Sequence, residues 1–169
     1  MDTSTLIGNI IVSMREYQKE NNITKQCITN AQFIYDIIKF NSTNDVKTKS
    51  VIVFSNDKET NSVTLVGGHL VIILDDDNDV IDPSYEVFSL KNKLYFDNID
   101  NFMSYFNEDD KITLKSKLNI KKVISDYLKF IKISEQINNG KFIITNKEFY
   151  NKQANYIENK YSKYLISIN

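Results

Sequence analysis

The chain has 169 residues, 41% hydrophobic and 12% aromatic, with 21 Lys and Arg against 22 Asp and Glu for a formal charge of −1. That is enough apolar material for one packed domain, or a small domain with an extension, and it excludes a chain whose main state is disorder. No run approaches the ~20 apolar residues that span a bilayer, and a single cysteine excludes an internal disulfide, so a cytoplasmic setting is expected.

The first residues, MDTSTLIGNIIVSM, have no basic stretch and no small-residue cleavage site, and they read as mature sequence rather than a signal peptide. From Thr5 to Glu20, Leu6, Ile10, Met14 and Tyr17 recur at helical spacing, with Ser4 or Thr5 as the cap. Asn21-Asn22 interrupts, and a second helix is expected from about Lys25 to Phe40, with Cys27 in its first turn and Ala31, Ile34, Tyr35 and Ile38 facing inward.

The period then changes. Ser50 to Ser55 (SVIVFS) reads as a strand, and Thr60 to Leu74 as a longer strand or two, broken at Gly67-Gly68. Its end, LVIIL, is apolar without alternation, as in a strand buried on both faces. Asp75 to Asp79 is a polar turn, Val80-Ile81 starts the return strand of a hairpin, and Asp82-Pro83-Ser84 ends it, because proline cannot extend a ladder. Tyr85 to Leu90 reads as one more short strand. From about Ile99 the pattern turns helical: Asn119 to Ile137 carries Ile120, Val123, Ile124, Tyr127, Leu128 and Ile131 on one stripe, closed by Gly140. Lys147 to Leu165 is a last helix with Tyr150, Ala154, Ile157, Tyr161 and Tyr164 in register.

Charge is divided along the chain. Residues 1–110 hold 9 Lys and Arg against 18 Asp and Glu, a balance of −9, while residues 111–169 hold 12 Lys against 4 Asp and Glu, a balance of +8. The favoured reading is two oppositely charged parts packed together, 1–110 as a core and 111–169 as a helical extension within one domain. The other is an anionic partner, or self-association, through the basic C-terminal helices. Nucleic acid is not expected, since no recognition motif accompanies the lysines.

The one cysteine and the one histidine fall where a thiol enzyme would place them. Amide groups and the positive end of the dipole at a helix start stabilise a thiolate at Cys27. His69 opens an apolar strand directly after Gly67 and Gly68, whose missing side chains leave room for substrate backbone or for the ring. A neutral imidazole there takes the thiol proton and returns it to a leaving group. Asp82, across the hairpin, is placed to fix the tautomer and stabilise imidazolium. Each residue also has a bland role: a small core thiol, a histidine satisfying a carbonyl, a turn-forming aspartate.

In their order and setting, these residues resemble the transglutaminase-like superfamily of papain-like cysteine hydrolases. Gln26-Cys27-x-x-x-Ala31-x-Phe33 looks like its nucleophile helix, and Gly68-His69-Leu70-Val71-Ile72-Ile73-Leu74 followed by Val80-Ile81-Asp82-Pro83-Ser84 is similar to its second signature. The resemblance covers roughly residues 22–86. It implies an α+β papain-like (transglutaminase-core) fold, with the nucleophile helix packed on an antiparallel sheet. It also implies acyl-enzyme chemistry on a peptide or protein amide or ester, with no cofactor. Family members carry a tryptophan near the histidine or in the return strand; this chain has none, which turns the implied chemistry from transglutamination toward hydrolysis by a peptidase, isopeptidase or amidase. A non-catalytic binding module on the same fold is the alternative.

An oxyanion hole needs donors aimed at the developing charge. The amide of Cys27 is the first expected donor; Asn21, Gln18 and Gln26 are candidates for a second. Asp75, Asp77, Asp79 and Glu86 follow a calcium-loop spacing, but Val80 stands where the loop needs glycine and Pro83 intrudes, so a solvated turn is expected. One cysteine and one histidine are too few for a structural zinc site, and no phosphate-binding glycine loop is present, so no metal is expected.

Overall fold

The computed structural model describes residues 3–57, 62–75, 79–84, 94–97, 113–114 and 120–165. Over these residues the chain is α+β: helices α1 (Thr3–Glu20) and α2 (Cys27–Asn41), strands β1 (Val46–Asp57), β2 (Ser62–Leu74), β3 (Asp79–Ile81), β4 (Leu94–Asp97) and β5 (Thr113–Leu114), then helices α3 (Ile120–Asn138) and α4 (Lys147–Lys160). The strand order is β3-β2-β1-β4, with β5 beside β2. The chain divides into two units, one of Met1–Thr48, Val71–Tyr85 and Gln136–Asn169, the other of Lys49–Leu70 and Glu86–Glu135. The division is interleaved along the sequence, and the C-terminal helix falls in the same unit as the first two.

In the first unit, α1 buries Ile7, Ile10, Ile11, Met14 and Gln18, a stripe of helical spacing. It lies one residue aside from the expected one, so Leu6 and Tyr17 are only half-buried. The helix ends in a Schellman motif: Asn22 takes φ 55°, Ile23 N donates to Gln18 O at 2.8 Å and Asn22 N to Lys19 O at 3.2 Å. Helix α2 is the most enclosed element, with every residue from Thr29 to Tyr35 buried and Ile37 and Ile38 after them. A helix buried on nearly all sides needs neighbours on several, and α1 and α4 both pack on it and on each other. Tyr17 stacks on Tyr156 at 4.9 Å between ring centroids, and Phe33 meets Tyr150 edge-on at 5.6 Å.

Leu70 to Leu74 are all buried, as expected of an apolar run without alternation. The hairpin forms in the expected place, with Ile72, Ile73 and Leu74 opposite Ile81, Val80 and Asp79. Asp75 takes φ 49° at the turn, its N donating to Asp45 O at 3.0 Å, while Asn44 Nδ2 donates to Asp75 Oδ2 at 2.8 Å. The last residue of α3, Asn138, clips the β1 backbone: its Oδ1 accepts from Thr48 N at 2.7 Å and its Nδ2 donates to Thr48 O at 3.0 Å. Gly140 then closes α3 as expected, at φ 83°, with Lys141 N donating to Gln136 O at 3.0 Å.

In the second unit, β1 pairs antiparallel with β4, Ile52 opposite Asp97, and β2 pairs parallel with β5, Ser62 opposite Thr113. β2 runs unbroken through Gly67-Gly68. Gly68 is needed for close approach: a Cβ there would lie 2.7 Å from Tyr127 N and 3.0 Å from Asp126 C, in the backbone of α3. Ser50 Oγ donates to Tyr127 O at 2.8 Å in the same region.

Several expectations are corrected. α3 buries Val123, Tyr127, Ser134 and Ile137, whereas Leu128, expected on the inner stripe, is 51% exposed. Its lysines Lys121, Lys122, Lys129 and Lys132 are all exposed, a solvated helix face. Thr113–Leu114 is a strand inside a stretch expected to be helical. α4 stops at Lys160 rather than Leu165, leaving Tyr164 exposed beyond it, while Tyr161 turns back so that its hydroxyl lies 2.7 Å from Ser13 Oγ. The strand expected over 85–90 lies outside the described residues, as do Asp77 and Glu86 of the calcium-loop spacing. Among the described residues, no helix is long and apolar enough to cross a membrane, and no group of three His, Cys, Asp or Glu could hold a metal.

Candidate active site

Cys27 is the first residue of α2, half-buried and outside any disulfide. The chain enters this helix through Lys25 at φ 57°, a left-handed turn that ends the approach segment. Gln26 at the N-cap makes no side-chain cap bond; its Nε2 donates instead to Thr24 O at 3.1 Å. The helix begins without the usual oxygen from Ser, Thr, Asp or Asn over its first amides. That is an electropositive setting for the sulfur.

The Asp82-Pro83-Ser84 turn belongs to the same unit. Asp82 Oδ1 accepts from Ser84 N at 2.8 Å, an Asx turn that fixes the carboxylate and stops the strand where proline would stop it anyway. Pro83 and Ser84 are buried and Asp82 half-buried. One turn into α2, the amide of Asn30 reaches this loop, Nδ2 donating to Ser84 Oγ at 2.8 Å. One buried hydrogen bond, from Asn30 to Ser84, thus ties the cysteine-bearing helix to the turn that follows Asp82.

That bond is part of a buried polar cluster in the first unit. Arg15 Nη1 donates to Gln18 Oε1 at 2.6 Å; Gln18 Nε2 donates to Asn30 Oδ1 at 2.6 Å and to Gln153 Oε1 at 2.7 Å. With its amide turned over, Asn30 accepts from Ser84 Oγ at 2.8 Å and from Arg15 Nη1 at 3.1 Å, so either orientation ties α2 to the turn after β3. Gln18, Asn30, Gln153 and Ser84 are each at most 1% exposed. Burying amides costs less when they hydrogen-bond to one another, and in this cluster Gln153 Nε2 and Arg15 Nε are the buried atoms left without a partner. Gln18 is 1% exposed and bonded to Arg15 and Gln153, which places this oxyanion candidate in the scaffold. Asn21 is exposed, its Nδ2 donating to Tyr17 O at 2.8 Å.

His69 lies on β2 in the second unit, with Gly67 and Gly68 just before it, and is 1% exposed. The nucleophile and carboxylate candidates therefore fall in one unit and the histidine in the other. The room beside Gly68 is filled by the α3 backbone, which gives this glycine a packing role.

Sequence reasoning missed Arg15, Asn30, Gln153 and Ser84. A polar side chain at an inward helical position was the available signal, in Gln18 and again in Asn30, but its partners lie far along the chain. It also missed Asp36 and Tyr150 of the same unit. Tyr150 Oη donates to Asp36 Oδ2, and Gln32 Nε2 to Asp36 Oδ1 at 2.9 Å. Burial pushes the Asp36 carboxyl above its ordinary range against the pull of those two bonds. Burial first, then the neighbouring Asp36 charge, raises the Tyr150 phenol as well.

Compared with known protein families, curated proteins and solved structures, the chain matches none.

Proposed function

We propose that the chain is a thiol hydrolase on a papain-like, transglutaminase-core scaffold, with Cys27 as nucleophile, His69 as general base and acid, and Asp82 as the orienting carboxylate. The observation that carries this reading is the Asn30–Ser84 bond, which holds the uncapped helix start of Cys27 to the turn bearing Asp82. The substrate is a peptide or protein amide or ester. The Cys27 sulfur attacks the carbonyl carbon while His69 takes the thiol proton and passes it to the departing amine or alcohol. Water then attacks the thioester, its proton again passing through His69, and releases the acid with the thiol restored. The backbone amide of Cys27 is the first oxyanion donor, and Gln26, beside it, is the side chain best placed in sequence to assist. Transfer of the same acyl group to an amine rather than to water is the variant of this chemistry.

One observation favours a second reading. His69 is 1% exposed, as befits a core histidine in a binding module that keeps the fold without the activity. Incubation with p-nitrophenyl acetate separates the two. The hydrolase reading expects a burst of nitrophenol and an intact protein heavier by one acetyl group on Cys27, both lost in Cys27→Ser. A mass unchanged under these conditions, or acetyl groups on lysines alone, favours the binding module.

A further inference from the structure

The inner half of α2 is buried on nearly all sides, but its last turns are not. There Asp36, Lys39 and Phe40 border a cavity of about 460 Å³ in the first unit, lined also by the Gly140–Phe142 segment after α3 and by Tyr150 of α4. Its size falls within the ~300–1,000 Å³ of small-molecule sites, and like them it combines apolar walls with a few convergent polar groups. Asp36 is nine residues beyond Cys27 on α2, so at about 1.5 Å rise per residue the cavity lies well over two helical turns from the thiol.

Three features define what would fit. The walls include two phenyl rings that remain partly in solvent, Phe40 at 59% and Phe142 at 46% exposure, the latter edge-on to Tyr150. Exposed phenylalanines converging on one cavity are the informative exception to ordinary surface composition. The floor is polar but already satisfied: both oxygens of Asp36 accept internal hydrogen bonds, one from Gln32 and one from Tyr150. A carboxylate so engaged does not call for a cationic ligand. The rim carries Lys39 and Lys141, both exposed and neither with an ion-pair partner among the described residues. Rings for an apolar body and two ammonium groups for a negative head fit one class of compound.

We infer that this cavity is a binding site for a small amphipathic organic anion, a compound with a flat or branched apolar body and one carboxylate or sulfonate. The body lies against Phe40 and Phe142, and the anionic group faces Lys39 and Lys141. The site is independent of the thiol chemistry proposed above.

The test uses the full chain and anilinonaphthalene sulfonate, an aromatic anion whose fluorescence rises and shifts to the blue on leaving water. Saturable binding of one equivalent is expected. The double variant Lys39→Gln/Lys141→Gln, which alters only exposed side chains, should weaken it roughly three- to tenfold, the scale of two partly screened charge contacts. Phe142→Ala should weaken it further, and uncharged phenylnaphthylamine should bind less tightly than the sulfonate to wild type. Cys27→Ala should bind as wild type does. Equal affinity in the double-lysine variant and wild type, or equal affinity for the uncharged dye, would overturn the inference. So would loss of binding in Cys27→Ala, which would place the dye at the thiol instead.

Discussion

Removing the Asn30 side chain tests whether the polar cluster holds the proposed site together. In Asn30→Ala, Ser84 Oγ loses a partner at 2.8 Å and Gln18 Nε2 loses one at 2.6 Å, leaving that nitrogen with Gln153 Oε1 alone. Both abandoned groups are about 1% exposed, so water cannot readily replace what was lost. A buried polar group left unsatisfied costs roughly 1–3 kcal/mol, and two such groups give about 2–4 kcal/mol once partial relaxation is allowed. Ser84→Ala strands only the Asn30 amide and should cost about 1–2 kcal/mol. Because the two side chains share one bond, the double variant should be less destabilised than the sum of the singles by about 1 kcal/mol. Urea denaturation of the four proteins, compared through midpoint and slope, reads all three numbers. An Asn30→Ala loss below about 0.5 kcal/mol, or strict additivity of the two substitutions, would refute the cluster as the tie between α2 and the Asp82 turn.

Two further predictions follow from packing and titration. Gly68→Ala puts a methyl group 2.7 Å from Tyr127 N, against backbone that cannot swing away, and should cost at least about 1–3 kcal/mol, read as a lowered melting temperature; an unchanged one contradicts the close approach of α3. Asp36 holds its proton more tightly folded than unfolded, so folding gains from it at low pH and loses that gain as pH rises from about 4 through its raised pKa. Asp36→Asn should therefore have a shallower fall in stability over that window than wild type, and parallel melting curves against pH would count against the buried carboxylate.

Much of the architecture is legible in the residues because burial follows period. α1, α2, α3 and α4 all announce themselves at helical spacing, and LVIIL announces a strand buried on both faces. Closures are legible too where they rest on local chemistry, as with Gly140 and the Asp82-Pro83-Ser84 stop. What period alone leaves open is which residues at the edge of a stripe turn inward. Leu128 faces out and Gln18 faces in because the neighbouring helices decide the angle, and no local rule contains them. Gly67-Gly68 reads as a break when viewed along the strand, yet it is continuous strand in which Gly68 admits the backbone of a helix almost 60 residues later. The polar cluster is the extreme case. Each of Gln18, Asn30 and Gln153 looks like an interruption of an apolar face, and only their meeting makes them a structural device. Of the candidate site, the residue types and the helix start at Cys27 are legible; the tie from Asn30 to Ser84, between residues 54 positions apart, is not.

Whether Cys27 is an activated nucleophile paired with His69 is read from the rate of its alkylation by iodoacetamide against pH. An activated thiol labels fast at neutral pH in wild type, with a profile that shifts to that of an ordinary thiol in His69→Ala, whose fold is checked by circular dichroism. Slow labelling that rises only near the ordinary thiol pKa of about 8.5, unchanged by the substitution, would contradict the pairing.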